Sequence, residues 1–196
     1  AVLSAWVRMM STFTPHVCEE IWASGLGEGY ASLAEWPKAD DSLIDEQAER
    51  AEDLLERTID DVQEIINVTG AQPAKITLYT TPQWKKEMLR LALSTAQASG
   101  GRLGMGALMK EAMASPAIAA HKKDAPKYAQ KLAKAAHSLS AEALELDEYE
   151  TLFREKEYLA ASMGVPVEVF SAEEPGADPK GKSRQAEPGR PAIYIE

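Results

Sequence analysis

The side chains best suited to chemistry in this chain are cationic, and they cluster. Lys122, Lys123, Lys127, Lys131 and Lys134 crowd one short segment, and positions 123, 127, 131 and 134 share one stripe of a helix. Ammonium groups so arranged neutralise phosphates, which positions a nucleic acid without reading its sequence. Lys180, Lys182, Arg184 and Arg190 form a second set in a Pro-, Gly- and Lys-rich connection over 172–189, and Lys85, Lys86, Arg90, Arg102 and Lys110 add to the supply. A loop that long is normally functional or disordered. Charge alone fits equally well a solvated basic surface facing acidic neighbours. Tyr79, Trp84 and Tyr128 could stack on bases, although Trp84 sits at core helical spacing. The chain closes on Tyr194-Ile195-Glu196, an alternating strand ending in two carboxylates. Such an end can accept hydrogen bonds from the exocyclic amines of unpaired bases.

Other chemistries find no constellation. His16 stands near Glu19 and Glu20, but no second ligand pair accompanies it, so a helix-corner role is expected and no metal. Lys180-Gly181-Lys182-Ser183 resembles the end of a phosphate-binding P-loop, yet the strand-to-helix context is missing. His16, His121 and His137 are dispersed, and Cys18 lies on an apolar helix face. The chain by itself is expected to catalyse nothing and to hold no cofactor.

With 196 residues, 45% of them hydrophobic, the chain can form one domain or two small ones. Its net charge of −10 argues against an anionic partner, but the average hides a segregation. Residues 1–72 carry 4 Lys/Arg against 15 Asp/Glu, whereas residues 73–138 carry 11 against 3, net +8. The apolar runs are too short to span a membrane. One cysteine excludes an internal disulfide framework and fits a reducing cytoplasm. The opening Ala1-Val2-Leu3-Ser4-Ala5-Trp6 enters directly into a helical pattern, as expected of the C-terminal piece of a longer protein.

Local signals predict the elements that carry these residues. Val2, Leu3, Trp6, Val7, Met10 and Phe13 recur at helical spacing. Thr14-Pro15 reads as N-cap and first-turn proline of a helix burying Val17, Cys18, Ile21 and Trp22, with Glu19 and Glu20 off that face and Gly25 and Gly27 as its stop. An extended Leu33–Pro37 precedes a long helix from about Asp41 to Val68, with the seam Ile44, Ala48, Ala51, Leu55, Ile59, Val62 and Ile66. Thereafter come a strand at Lys75–Thr80, helices from Pro82 to Gly100, at Leu103–Ala114, Asp124–Leu139 and Leu144–Met163, and strands at Val165–Phe170 and Ala192–Ile195. The last two are expected to form a long-looped pair. The fold class is α+β, mostly α: part of a helical bundle over 1–71, then a small α+β domain over 72–196.

The run Phe13-Thr14-Pro15-His16-Val17-Cys18-Glu19-Glu20-Ile21-Trp22, with Trp36-Pro37 further on, resembles a signature of the helical anticodon-binding domain in class I aminoacyl-tRNA synthetases for leucine, isoleucine and valine. The downstream pieces are similar to the leucyl family of archaeal and eukaryotic type: KITLYTTPQWK, GALMKEAM, KKDAPKYAQKL and DPKGKSRQAEPGRPAIYIE. That resemblance implies a parent ligase that joins leucine to tRNA(Leu) with ATP and Mg, its catalytic and editing domains lying upstream. It implies cytoplasmic localisation and contact with the upstream domains. It further implies that this region reaches the long variable arm and the tRNA corner. By position, contact with unpaired bases would fall to Ile195 and Glu196, supported by Tyr194 and Arg190. The alternatives are the matching part of an isoleucyl or valyl enzyme, a protein-interaction module docking a basic partner on the acidic helix, or a free-standing RNA chaperone.

Overall fold

In the computed structural model, which describes residues 2–100, 103–135, 140–174, 176 and 178–196, the chain divides into Ala1–Asp45 and Glu46–Glu196. In the first unit, α1 (Val2–Met10) and α2 (Pro15–Ile21) pack through Val7, Cys18, Trp22 and Ala31. Pro15 opens α2 as expected, but the Thr14 hydroxyl turns back to the Met10 carbonyl at 3.4 Å and caps nothing. Val17 is exposed, so the buried face is narrower than the sequence suggested. Val2, Leu3, Trp6 and Phe13 are exposed as well. A π-helical turn, Trp22–Leu26, ends α2 at Gly25, whose φ of 119° suits only glycine. At Gly27 the chain passes against the Trp22 indole, where an added Cβ would fall 2.1 Å from the ring.

Glu19, expected merely to lie off the apolar face, has a structural task. Its carboxylate accepts from the Ala31 amide at 2.7 Å, the Ser32 amide at 3.0 Å and the Ser32 hydroxyl at 2.7 Å, fixing the 3-10 turn Ala31–Leu33. The Ser32 hydroxyl and the two amides hold its pKa below the ordinary carboxylate value of 4.5. A depressed folded-state value stabilises fully above 4.5, and that contribution is lost as pH falls through the lowered value. Amide exchange should therefore show Ala31 and Ser32 protected at pH 6, deprotected on strong acidification, and deprotected at every pH in Glu19→Ala. Unchanged protection in that variant would contradict the assignment.

The second unit begins with α3 (Glu46–Thr69), 24 residues and about 36 Å long. It starts later than predicted because Asp40 captures the Ser42 amide and hydroxyl around a 3-10 turn, Asp41–Leu43, leaving Ile44 exposed. Leu54, Leu55, Thr58 and Val62 form its buried side. Strand β1 (Ile76–Tyr79) follows, every residue buried. Helices α4 (Gln83–Ala98), α5 (Met105–Ala114), α6 (Pro116–Ala119) and α7 (Ala125–Lys134) enclose a core of Met88, Ala92, Leu108, Ala112, Ile118 and Ala129. The predicted continuation of α7 to Leu139 lies outside the described residues, as do Ala1, Arg102 and His137.

The helix predicted over Leu144–Met163 is three: α8 (Glu142–Glu145), α9 (Glu148–Arg154) and α10 (Lys156–Met163). Asp147 interrupts it by capping the Glu150 amide at 3.1 Å, while Leu152 and Leu159 on the two flanking helices are fully buried. Gly164 ends α10 in the left-handed conformation.

Strands β2 (Val167–Phe170) and β3 (Ala192–Ile195) do not pair with each other as expected. The sheet order is β2-β1-β3, with β2 parallel and β3 antiparallel to β1. Ile76, Leu78, Val167, Val169, Ile193 and Ile195 face one core with α3, α9 and α10. Tyr79, Phe170, Ala192 and Tyr194 gather on the opposite face around Ala186. By packing, α3 thus goes with the sheet, and the two compact units adjoin in sequence at Asp45/Glu46.

One buried acid ties the second unit together. Glu148 is fully buried at the start of α9. Its Oε2 accepts from the Thr81 amide at 2.9 Å and lies 3.7 Å from the Lys86 ammonium, while its Oε1 accepts from the Gly189 amide at 2.8 Å. The turn after β1, the helix α9 and the segment leading into β3 meet at this carboxylate. Glu148→Ala, which strands a half-buried ammonium and two amides, should cost about 2–4 kcal/mol in urea unfolding. Glu148→Gln, which keeps an acceptor, should cost about 1–3 kcal/mol. Equal stabilities for wild type and Glu148→Ala would refute the pinning role.

Candidate nucleic-acid interface

On α7, burial of Ala125, Tyr128, Ala129 and Leu132 forces Lys127, Lys131 and Lys134 onto the opposite, exposed side. Lys122 and Lys123 stand exposed in the turn before it. Lys131 and Lys134 also lie in the last turn of the helix, where the dipole favours cations. Among the described residues Lys122, Lys123, Lys127 and Lys134 form no ion pair, whereas Lys131 is paired with Glu187.

That pair brings α7 against the 178–190 segment, which is built from specific bonds. Asp178 accepts from the Lys182 amide at 2.8 Å and the Ser183 amide at 2.6 Å, ahead of a 3-10 turn, Lys182–Gln185. Burial opposes its ionisation, but the Ser183 hydroxyl and these amides prevail and lower its pKa. The P-loop-like run therefore spends its amides on the protein's own carboxylate and offers no ATP cradle. Lys85, among the candidate phosphate contacts, is buried. Its ammonium donates to the Arg184 and Ala186 carbonyls, both at 2.6 Å, and burial pushes its pKa down. Lys86 faces Glu148.

The twelve residues singled out from sequence separate into several places. Lys127, Lys131 and Arg184 border one cavity. Lys180 and Lys182 lie over the Tyr194 ring, at 4.2 and 5.9 Å, and the Lys180 ammonium also reaches the Tyr194 hydroxyl. Arg190 turns toward α3, where Asp61 holds it by two bonds of 2.6 Å and raises its pKa. Ile195 packs partly into the sheet core. Glu196 is exposed, but its backbone is engaged: its carbonyl accepts from the Ala74 amide at 2.6 Å and its amide donates to the Lys75 carbonyl at 2.9 Å.

Tyr79, Trp84 and Tyr128 are all buried and so are not open platforms for bases. Trp84 meets Tyr128 edge-on at 5.6 Å and lies flat against His121 at 4.9 Å. Sequence reasoning missed Glu148, Asp178 and Asp61, because nothing local marks a carboxylate that is destined to receive distant amides or a distant guanidinium. Among the described residues no group of three or more His, Cys, Asp or Glu is placed to hold a metal, and no helix is long and apolar enough to cross a membrane.

Residues 1–79 match a family described as the anticodon-binding domain of tRNA ligase. That span includes α3 and β1, so descent and packing divide the chain at different points. The whole chain is 62% identical to a Leucine--tRNA ligase of Methanothrix thermoacetophila, of which it covers 20%. It is 44% identical to one of Methanosarcina acetivorans, covering 21%, and over 97% of its length 35% identical to one of Pyrococcus abyssi, covering 18%. The chain thus spans about a fifth of the length of the curated relatives it matches. Each carries the leucine name, which does not favour the isoleucyl, valyl or protein-module readings. Residues 1–79 are thus similar to the anticodon-binding domain of tRNA ligases, and the chain as a whole is similar to about one fifth of a leucine–tRNA ligase.

Proposed function

We propose that this chain is the tRNA-binding region of a leucyl-tRNA synthetase, positioning tRNA(Leu) through its variable arm and corner for leucylation elsewhere in the parent protein. The observation that carries this reading is the unbroken match to Leucine--tRNA ligases along the whole chain. The exposed cationic side of α7, in a chain of net charge −10, supplies the means. ATP and Mg serve the parent's catalytic domain, and the compartment is the cytoplasm, consistent with a single unpaired Cys18.

In this mechanism Lys122, Lys123, Lys127 and Lys134 meet phosphates first, and Lys131, Lys180, Lys182, Arg184 and Arg190 follow by exchanging or sharing their present partners. Such contacts set register and orientation. Reading of unpaired bases falls to the Tyr194–Glu196 end. There the Glu196 carboxylate is the free acceptor, because the backbone around it is committed to β1.

Titration of the chain with a tRNA(Leu) transcript over a salt series tests both parts. Neutralising about six phosphates gives a log–log slope of about −4 to −5. Lys127→Ala with Lys134→Ala should weaken leucine and serine tRNAs alike and flatten the slope by about 1.4 to 1.8. Glu196→Ala, preferable to truncation because it keeps the pairing with β1, should instead narrow the preference for leucine over serine tRNA. A preference unchanged by Glu196→Ala would remove the tail from the recognition mechanism.

A further inference from the structure

A cavity of about 410 Å³ opens between the start of α4, the turn into α7 and the segment around 172–187. That volume lies within the range of small-molecule sites. One side of it is aromatic. His121, in the turn between α6 and α7, stacks on the buried Trp84 with the two rings only 16° from parallel, and Tyr128 braces Trp84 edge-on. Unlike its two neighbours, His121 is exposed, which leaves its outer face open to a further planar ring.

The charges around the cavity are of two kinds. The Lys85 ammonium is consumed by two carbonyls and Lys131 by Glu187, while Glu173 accepts from the Gln83 amide at 2.9 Å. Lys127 and Arg184 also line the cavity, and among the described residues neither side chain is paired. The carboxylate of Asp124 borders the same space and receives no hydrogen bond among the described residues. An open aromatic face, two uncommitted cations and one uncommitted acceptor are the complement of a single nucleotide: base, phosphate and exocyclic amine.

We infer that this cavity takes one unstacked nucleotide of the bound RNA, its base on the outer face of His121, its phosphate on Lys127 and Arg184. The inference rests on the tRNA-binding reading above and adds to it a base-stacking site remote in sequence from the terminal strand. Asp124 favours a base carrying an exocyclic amine.

The test is anisotropy titration of the full chain with a tRNA(Leu) transcript across a salt series, with circular dichroism to establish that each variant is folded. His121 contributes only backbone atoms to its turn, so His121→Ala leaves the turn's hydrogen bonds in place. That variant should bind about 5- to 150-fold more weakly, with the salt slope unchanged, because stacking releases no counterions. His121→Phe, which restores a planar ring, should recover most of the loss. Arg184→Ala should weaken binding and flatten the slope by about 0.7 to 0.9. If wild type binds but His121→Ala stays within twofold of it, the stacking site is wrong and the tRNA reading stands. If wild type fails to bind at low salt, the tRNA reading itself fails. A parallel titration with CMP and UMP separates the sources: saturable CMP binding abolished by His121→Ala, with tRNA binding untouched, would assign the cavity to a free nucleotide and overturn the inference.

Discussion

Strand β1 is buried on both faces, and the second unit is arranged around that fact. Four residues cannot cover themselves, so two cores form back to back. Ile76 and Leu78 enter the helical side with α3, α9 and α10, while Tyr79 lies under Phe170, Ala186 and Tyr194. Because β1 is central, both of its hydrogen-bonding edges are taken: β2 arrives in parallel after the long helical crossover and β3 returns antiparallel. The terminal peptide is therefore an edge strand with a fixed register, in which Ile193 and Ile195 point to one core and Tyr194 to the other face. Its reach toward any partner is set by that register and not by chain flexibility.

The same constraint organises the charges. Covering the outer face of the sheet requires the 178–190 segment to lie across it, and four polar anchors hold it there: Asp178 on its own amides, Lys85 on two carbonyls, Glu148 on the Gly189 amide, and Asp61 on Arg190. Burial makes the internal anchors strong, since groups removed from water cost a great deal when left unmet. Lys85 is thereby withdrawn from solution, Lys86 partly so, and Arg190 is paired while still exposed, whereas, among the described residues, Lys122, Lys123, Lys127 and Lys134 are left to solution unpaired. A block of net +8 in the sequence is thus part scaffold and part free surface.

The sequence made the regular elements legible where local chemistry decides them. Ile76–Tyr79 and Ala192–Ile195 are mostly β-branched or aromatic, Pro15 opens a helix, and Gly70 and Gly164 close two others at positive φ. It was also sufficient to separate the lysine face of α7, since alternate burial on a helix follows from the periodicity. Breaks that depend on a single capping carboxylate were not visible: the apolar spacing runs smoothly across Asp147, yet its side chain ends one helix and starts another. Strand order was equally hidden, because pairing with β1 is decided by burial between distant segments. Glu148 and Lys85 read as surface residues by type, and only the folded chain shows them enclosed. The tyrosines and Trp84 erred in the other direction: aromatic residues in a basic region resemble platforms for bases, but here they fill the core and leave His121 as the exposed ring.

In the proposed function, free cations on α7 and its preceding turn, together with the edge strand β3, form the surface that meets RNA, while the acidic α3 does not. Lysine-reactivity footprinting of the chain with and without bound tRNA(Leu) tests this most directly. Protection should concentrate at Lys122, Lys123, Lys127 and Lys134, with lesser change at Lys180 and Lys182 and none at Lys38. Uniform reactivity at the α7 lysines on saturation with tRNA, or protection confined to the first unit, would contradict the account.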